Sequence, residues 1–182
     1  MVGMPRFRET SVSTPDAAAL LTEYFTERET TFPSAQGTYT TTLPDASAFV
    51  PPAGVFVVVD PDVGERQADH EPEPVACGGI RLIAPSATGA VRYEVKHLYV
   101  RPSGRGLGLG RALLVELERR AAAFGADEIV LDTNDSLAAA GGLYRSAGYS
   151  TVEPYNANPN ATTWYGKPVE HPGAVGTSDG AA

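Results

Sequence analysis

The sequence holds one cysteine, two lysines and one tryptophan among its 182 residues. A single thiol, Cys77, excludes an intramolecular disulfide framework and a cysteine-based zinc cluster; it suits a reducing, cytoplasmic setting. Long apolar runs are also missing. No stretch approaches the roughly 20 residues that span a bilayer, and Met1–Thr10 lack the apolar centre of a secretory leader, so no membrane partner is expected. Basic charge is scarce: 14 Lys+Arg against 22 Asp+Glu give a net charge of −8 and a pI near 4.8. That balance argues against a nucleic-acid partner. What remains is ordinary for a globular chain, with 42% hydrophobic and 20% charged residues, enough to bury one core. A single domain over residues 1–169 is expected, followed by a Gly/Ala/Ser-rich, frayed tail over 170–182. Residues 60–74 carry six acids against Arg66 and read as a solvated, mobile connection.

Periodicity outlines the elements. Arg6–Val12 reads as a strand. Thr14 and Pro15 open a helix to about Arg28, with Thr14 as N-cap. The Thr/Ser/Pro/Gly-rich stretch 31–52 has no clear assignment. Strands follow over Gly54–Asp60, Val75–Ile83 and Val91–Val100. Leu109, Leu113, Leu117 and Ala121 recur at four-residue spacing in a helix that runs to Phe124. Glu128–Asp132 is a short buried strand, Ser136 caps a helix to Ala147, and Tyr149–Pro154 and Thr162–Lys167 close the set. Three strands in a row favour hairpins, and the strand–helix–strand passages favour crossovers. The expected fold is α/β (α+β): a mixed, mostly antiparallel sheet of about six to seven strands flanked by helices.

The chemistry concentrates in Val100–Leu114, VRPSGRGLGLGRALL. Gly106, Gly108 and Gly110 alternate where a strand hands over to a helix. A helix's first turn has free N–H groups and the positive end of the dipole, and glycine lets a ligand approach the backbone. The result is an anion site suited to a diphosphate. Arg101, Arg105 and Arg111 stand close by with no acid among them, so the segment reads as a positive island. A G-x-G-x-x-G dinucleotide loop fails, because Arg111 or Leu109 stands where its third glycine belongs. A Walker A loop fails for want of lysine. R-x-x-G-x-G fits, as Arg105 to Gly110.

With that loop, the preceding EVKHLYV, the LDTN ending at Asn134, and Leu143–Tyr149 (LYRSAGY) matching L-Y-x-x-x-G-[FY], the chain resembles the GNAT superfamily of acetyl-CoA-dependent N-acetyltransferases over roughly residues 75–167. The resemblance implies a GNAT-like sheet and acetyl-CoA as co-substrate, with no metal. Backbone groups of Leu98, Tyr99 and Val100 would bind the pantetheine arm like an added strand. Amides of Arg105, Gly106, Leu107, Gly108, Leu109, Gly110 and Arg111 would cradle the diphosphate. Asn134 would lie near the pantetheine, and Tyr144 would face the thioester sulfur. The Gly141–Gly142 pair inside the Tyr144 helix departs from a good helix sequence.

The implied function is acetyl transfer to a primary amine of a small molecule, amino acid or peptide by direct attack. The alternative is a non-catalytic acyl-CoA-binding sensor or regulatory module. Transfer needs a neutral amine, oxyanion donors and a donor for the leaving thiolate. Tyr144 is the candidate acid. Glu94 is the first candidate base, His97 the second and an ordered water the third. Strict alternation places Glu94 and Lys96 on one strand face and Val95, His97 and Tyr99 on the other. The acceptor site would draw on the first helix and the 31–52 stretch. Trp164, in the Asn-rich segment 155–165, is either a core residue or one at the substrate mouth. Members of the superfamily often pair, so a homodimer is admitted.

Overall fold

A computed structural model of the chain describes residues 5–61 and 73–171. Most of the acidic stretch 60–74 and most of the 170–182 tail therefore lie outside the described residues. Among the described residues, seven strands form one sheet: β1 (Arg6–Thr10), β2 (Gly54–Asp60), β3 (Ala76–Ile83), β4 (Arg92–Val100), β5 (Glu128–Thr133), β6 (Ser150–Val152) and β7 (Thr163–Pro168). Their spatial order is β1-β2-β3-β4-β5-β7-β6. Only β4 and β5 run parallel; every other pair is antiparallel. The helices are α1 (Pro15–Thr31), α2 (Leu109–Ala123) and α3 (Ala138–Ser146). None is long and apolar enough to cross a membrane.

The sheet is covered on both faces, which is why β2 reads as an unbroken apolar run. Val55, Val57 and Val59 join Leu113, Leu114 and Leu117 of α2, while Phe56 and Val58 join Leu20, Leu21 and Phe25 of α1. Most expected boundaries agree within a few residues. The caps differ. Thr14 stands at the start of α1, but its hydroxyl donates to the Ser11 carbonyl at 3.0 Å rather than capping the helix. Ser136 does not cap α3. Its N–H donates to Asn134 Oδ1 at 3.0 Å, and the helix begins two residues later, after Leu137. The unassigned 31–52 stretch contains two 3-10 turns, Ser34–Gln36 and Ala46–Phe49, the second capped by Asp45.

The largest departure from the expected pattern is a bulge. Cys77 pairs with Tyr99 and Gly79 with Lys96, so His97 and Leu98 together oppose Gly78. His97 takes φ +57°, the only positive φ among the described non-glycine residues. The extra residue breaks the alternation along β4. His97 therefore joins Lys96 and Tyr99 on the α1 side. Val95 stays on the α2 side, where Leu98 and Val100 also pack. The His97 ring sits 5.5 Å from Phe25 and 5.6 Å from Tyr24, with Nδ1 buried and without a partner among the described residues. Burial first, then the charges of Lys96 and Arg81, push its pKa down to about 3.

A Cβ at Gly54 would lie 2.1 Å from the Ala48 carbonyl oxygen, whereas one at Gly142 would meet nothing within 4 Å. Gly54→Ala should destabilise the chain by about 3 kcal/mol, and Gly142→Ala should stabilise it by about 0.5–1 kcal/mol, both read from urea midpoints. For His97, the unfolded chain binds a proton between pH 6.5 and 3 that the folded chain refuses. Stability is therefore complete above pH 6.5 and falls as the pH drops through that window. Going from pH 7 to 4.5 should cost wild type about 2–3 kcal/mol more than His97→Asn, a substitution that tolerates the same backbone. Equal slopes would remove His97 as the source.

Candidate active site

The site opens where the sheet comes apart. β4 and β5 pair over Arg92–Glu94 and Glu128–Val130 only. Beyond that point β5 keeps β7 as its partner and β4 keeps β3. The two parallel strands diverge and leave a cavity of about 770 Å³, within the usual range for small-ligand sites. Leu98, Tyr99 and Val100 of β4 line it, as do Gly110, Asn134, Leu143 and Tyr144. Tyr24 and Arg28 of α1, and Tyr39 and Leu43 of the loop after α1, form the opposite wall.

The glycine loop reaches the lining at Arg105 and Gly110. Gly106 and Gly108 both take φ +78°, and a Cβ on either would meet nothing within 4 Å. Gly108 is the N-cap of α2 and offers no side chain to its first turn. Among the described residues, no acceptor meets the N–H groups of Gly106 through Arg111. The positive island is not what the sequence suggests. Arg101 binds Glu23 at 2.7 Å and Glu73 at 3.1 Å, and Arg105 binds Glu27 at 2.6 Å. Glutamates brought over by α1 neutralise two of the three guanidinium groups. Arg111 touches the Ser146 hydroxyl at 2.6 Å. What the loop offers to a ligand is thus chiefly its aligned N–H groups. Arg105 Nε also donates to the Val100 carbonyl at 3.0 Å, which leaves Leu98 and Tyr99 with the freer edge of β4.

Tyr144 is presented by α3 and meets Tyr149 edge-on and Tyr165 at a tilt, with ring centroids about 6 Å apart. Its side chain is largely buried and lines the cavity, and no hydrogen bond to its hydroxyl is made among the described residues. Burial first, then the charge of Asp132, push its pKa up to about 12. Asn134 lines the cavity with its amide already engaged, donating to Gln36 Oε1 at 2.7 Å and to the Asn160 carbonyl at 2.9 Å. It clasps the two loops that roof the site.

Glu94 does not line the cavity. It lies below the fork, 1% exposed, held by Arg81 at 2.7 Å, the Tyr155 hydroxyl at 3.0 Å, Asn156 Nδ2 at 3.3 Å and Lys96 at 3.5 Å. Asp132, on the same sheet face as Glu94, does reach the cavity, as does Glu27 of α1. Asp132 accepts from Asn156 at 2.7 Å and Asn158 at 3.0 Å and lies 3.5 Å from Lys96. Lys96 thus ties both carboxylates together at the base of the fork. His97 reaches the cavity wall, but its low pKa makes it a poor proton acceptor. Trp164 is not at the mouth; it donates to Asn156 Oδ1 at 2.8 Å and steadies that side chain.

Sequence reading missed Asp132, Arg28, Tyr24 and Tyr39. Asp132 had a signal within the LDTN segment, two residues before Asn134 and in alternation with the buried Val130. Arg28 and Tyr24 share a helix face at four-residue spacing. Tyr39 sat in a stretch with no periodicity to read.

The sequence profile of the acetyltransferase (GNAT) family matches residues 18–149. An uncharacterised N-acetyltransferase of Schizosaccharomyces pombe is 48% identical over 66 residues, 36% of this chain and 40% of that protein. An IAA acetyltransferase of Azospirillum brasilense is 33% identical over 95 residues, 52% of this chain and 60% of that protein. These matches thus span less than two thirds of either relative. A crystal structure of a putative acyl-CoA N-acyltransferase from Klebsiella pneumoniae superposes with a TM-score of 0.67 at 26% identity, covering 91% of this chain and 97% of that one. A phosphinothricin acetyltransferase from Sinorhizobium meliloti, solved with acetyl-CoA, shares the fold at 18% identity and TM-score 0.60, over 92% and 89% of the two chains. With the forked sheet, the N–H-lined loop and the family profile in agreement, the chain belongs to the acetyltransferase (GNAT) family.

Proposed function

We propose that the protein transfers an acetyl group from acetyl-CoA to a primary amine by direct attack. The observation that carries this reading is the placement of three features at one cavity: a loop of unpartnered N–H groups that reaches the lining at Arg105 and Gly110, an open β4 edge, and the Tyr144 phenol. The N–H groups of residues 106–111 would hold the diphosphate, and the backbone of Leu98 and Tyr99 the pantetheine arm. The thioester would then lie beside Tyr144.

A neutral amine attacks the thioester carbonyl carbon, and the C–N bond forms. Backbone donors at the β4 edge stabilise the tetrahedral oxyanion. The C–S bond then breaks, the thiolate leaves and the nitrogen gives up one proton. Tyr144 stays protonated across the working pH range and donates a hydrogen bond to the departing sulfur. Handing over its proton outright, from about 12 to a thiol near 8.5, would cost about 5 kcal/mol. Its role is therefore stabilisation of the leaving anion, with solvent supplying the thiol proton. Water at Asp132 receives the amine's proton. Glu94, enclosed under the fork, acts as a positioning residue through Lys96, Tyr155 and Asn156.

Tyr144→Phe tests the reading. CoA release with a competent amine should fall by about 10²-fold or more, while acetyl-CoA affinity stays within a fewfold of wild type. Full turnover by the variant would remove Tyr144 from the chemistry.

A further inference from the structure

The charges that line the cavity are nearly all matched. Glu27 binds Arg105 at 2.6 Å, Arg81 binds the enclosed Glu94 at 2.7 Å, and Lys96 lies 3.5 Å from both Glu94 and Asp132. Arg28 is the exception. It stands in the last turn of α1 on the cavity wall, half-buried. Among the described residues its guanidinium touches only the Thr31 hydroxyl, at 3.3 Å, and it pairs with no carboxylate.

Arg28 stands among the aromatic residues that α1 and the loop after it bring to the cavity. Tyr24 lies one turn before it and Phe32 one turn after, with Phe32 packed 5.6 Å from Tyr39. Its charge acts on the phenols of Tyr24, Tyr39 and Tyr144, against the upward push that burial gives each. Asp132 acts on Tyr39 and Tyr144 in the opposite sense. A spare cation and a carboxylate therefore share the space around the reacting end.

A guanidinium on an aromatic-walled cavity with no carboxylate partner among the described residues is free to take one from a ligand, and its planar fork matches a carboxylate with two parallel hydrogen bonds. We infer that Arg28 binds a carboxylate of the acceptor, so that the substrate is an amine that also carries a carboxylate group. Its nitrogen lies toward Asp132 and its carboxylate toward α1. The Arg81 and Lys96 charges do not compete, because Glu94 and Asp132 already balance them. This assignment rests on the acetyl-transfer reading above.

The test compares α-amino acids with their carboxamides as acceptors, by CoA release, in wild type, Arg28→Gln and Arg28→Lys. In wild type, kcat/KM should be at least tenfold higher for the acids. The carboxamide's less basic amine works against that preference, so basicity does not explain it. The acid-to-amide ratio should fall to near one in Arg28→Gln, through KM, and partly return in Arg28→Lys. Equal rates for acids and amides in wild type, or a ratio that survives Arg28→Gln, would overturn the assignment and leave the transferase reading standing. A weakened acetyl-CoA Kd in Arg28→Gln with an intact acid preference would assign Arg28 to the cofactor and overturn it too. Acetyl-CoA binding with no turnover on any amine would remove the transferase reading, and this inference with it.

Discussion

The parting of β4 from β5 after Glu94 is the constraint on which the site depends. Parallel neighbours in the middle of a sheet normally stay paired, because a buried N–H or carbonyl without a partner is costly. Here β5 is retained by β7, which inserts between β5 and β6, and β4 is retained by β3. The bulge at His97 and Leu98 lets β4 turn without losing that partner. The gap that results supplies an unpaired strand edge and the floor of a cavity. Gly78, opposite the bulge, lies where a Cβ would press on Leu98 and Leu117 at 3.2 Å. The glycine is thus part of the device that opens the sheet.

Ionic contacts brace the fork. Lys96, 3.5 Å from Glu94 and from Asp132, spans the point where the strands separate. Tyr155, Asn156 and Asn158 bring the β6–β7 connection onto the same two carboxylates. Buried charge of this kind is weak evidence for stability, but it sets geometry. A second clasp, Asn134 to Gln36 together with paired hydrogen bonds between Asn160 and the Thr40 backbone, fixes the roof. The cavity wall away from β4 is built from α1 and from loops that are far apart in sequence.

Local elements were legible because each carries its own periodicity. The α2 stripe, the β2 run and the alternating glycines before α2 follow from short-range sterics and hydrogen bonding. What the sequence obscured is what arises between elements. Arg101 and Arg105 look unopposed along the chain, and only the docking of α1 delivers Glu23 and Glu27 to them. Glu94 looks like one residue of an exposed strand face until the fork encloses it. Alternation predicts the wrong side for His97 because one bulged residue inverts every later position. Arg28 carries no motif, and its meaning depends on which other charges find partners.

The central claim is that unpartnered N–H groups at the head of α2 grip a diphosphate at the mouth of the forked sheet. Calorimetric titration with CoA and with pantetheine, which lacks the diphosphate, tests it most directly. Saturable heat at micromolar CoA, with pantetheine weaker by about a hundredfold or more, is the predicted result. No heat at millimolar CoA, or equal affinity for the two ligands, would contradict it.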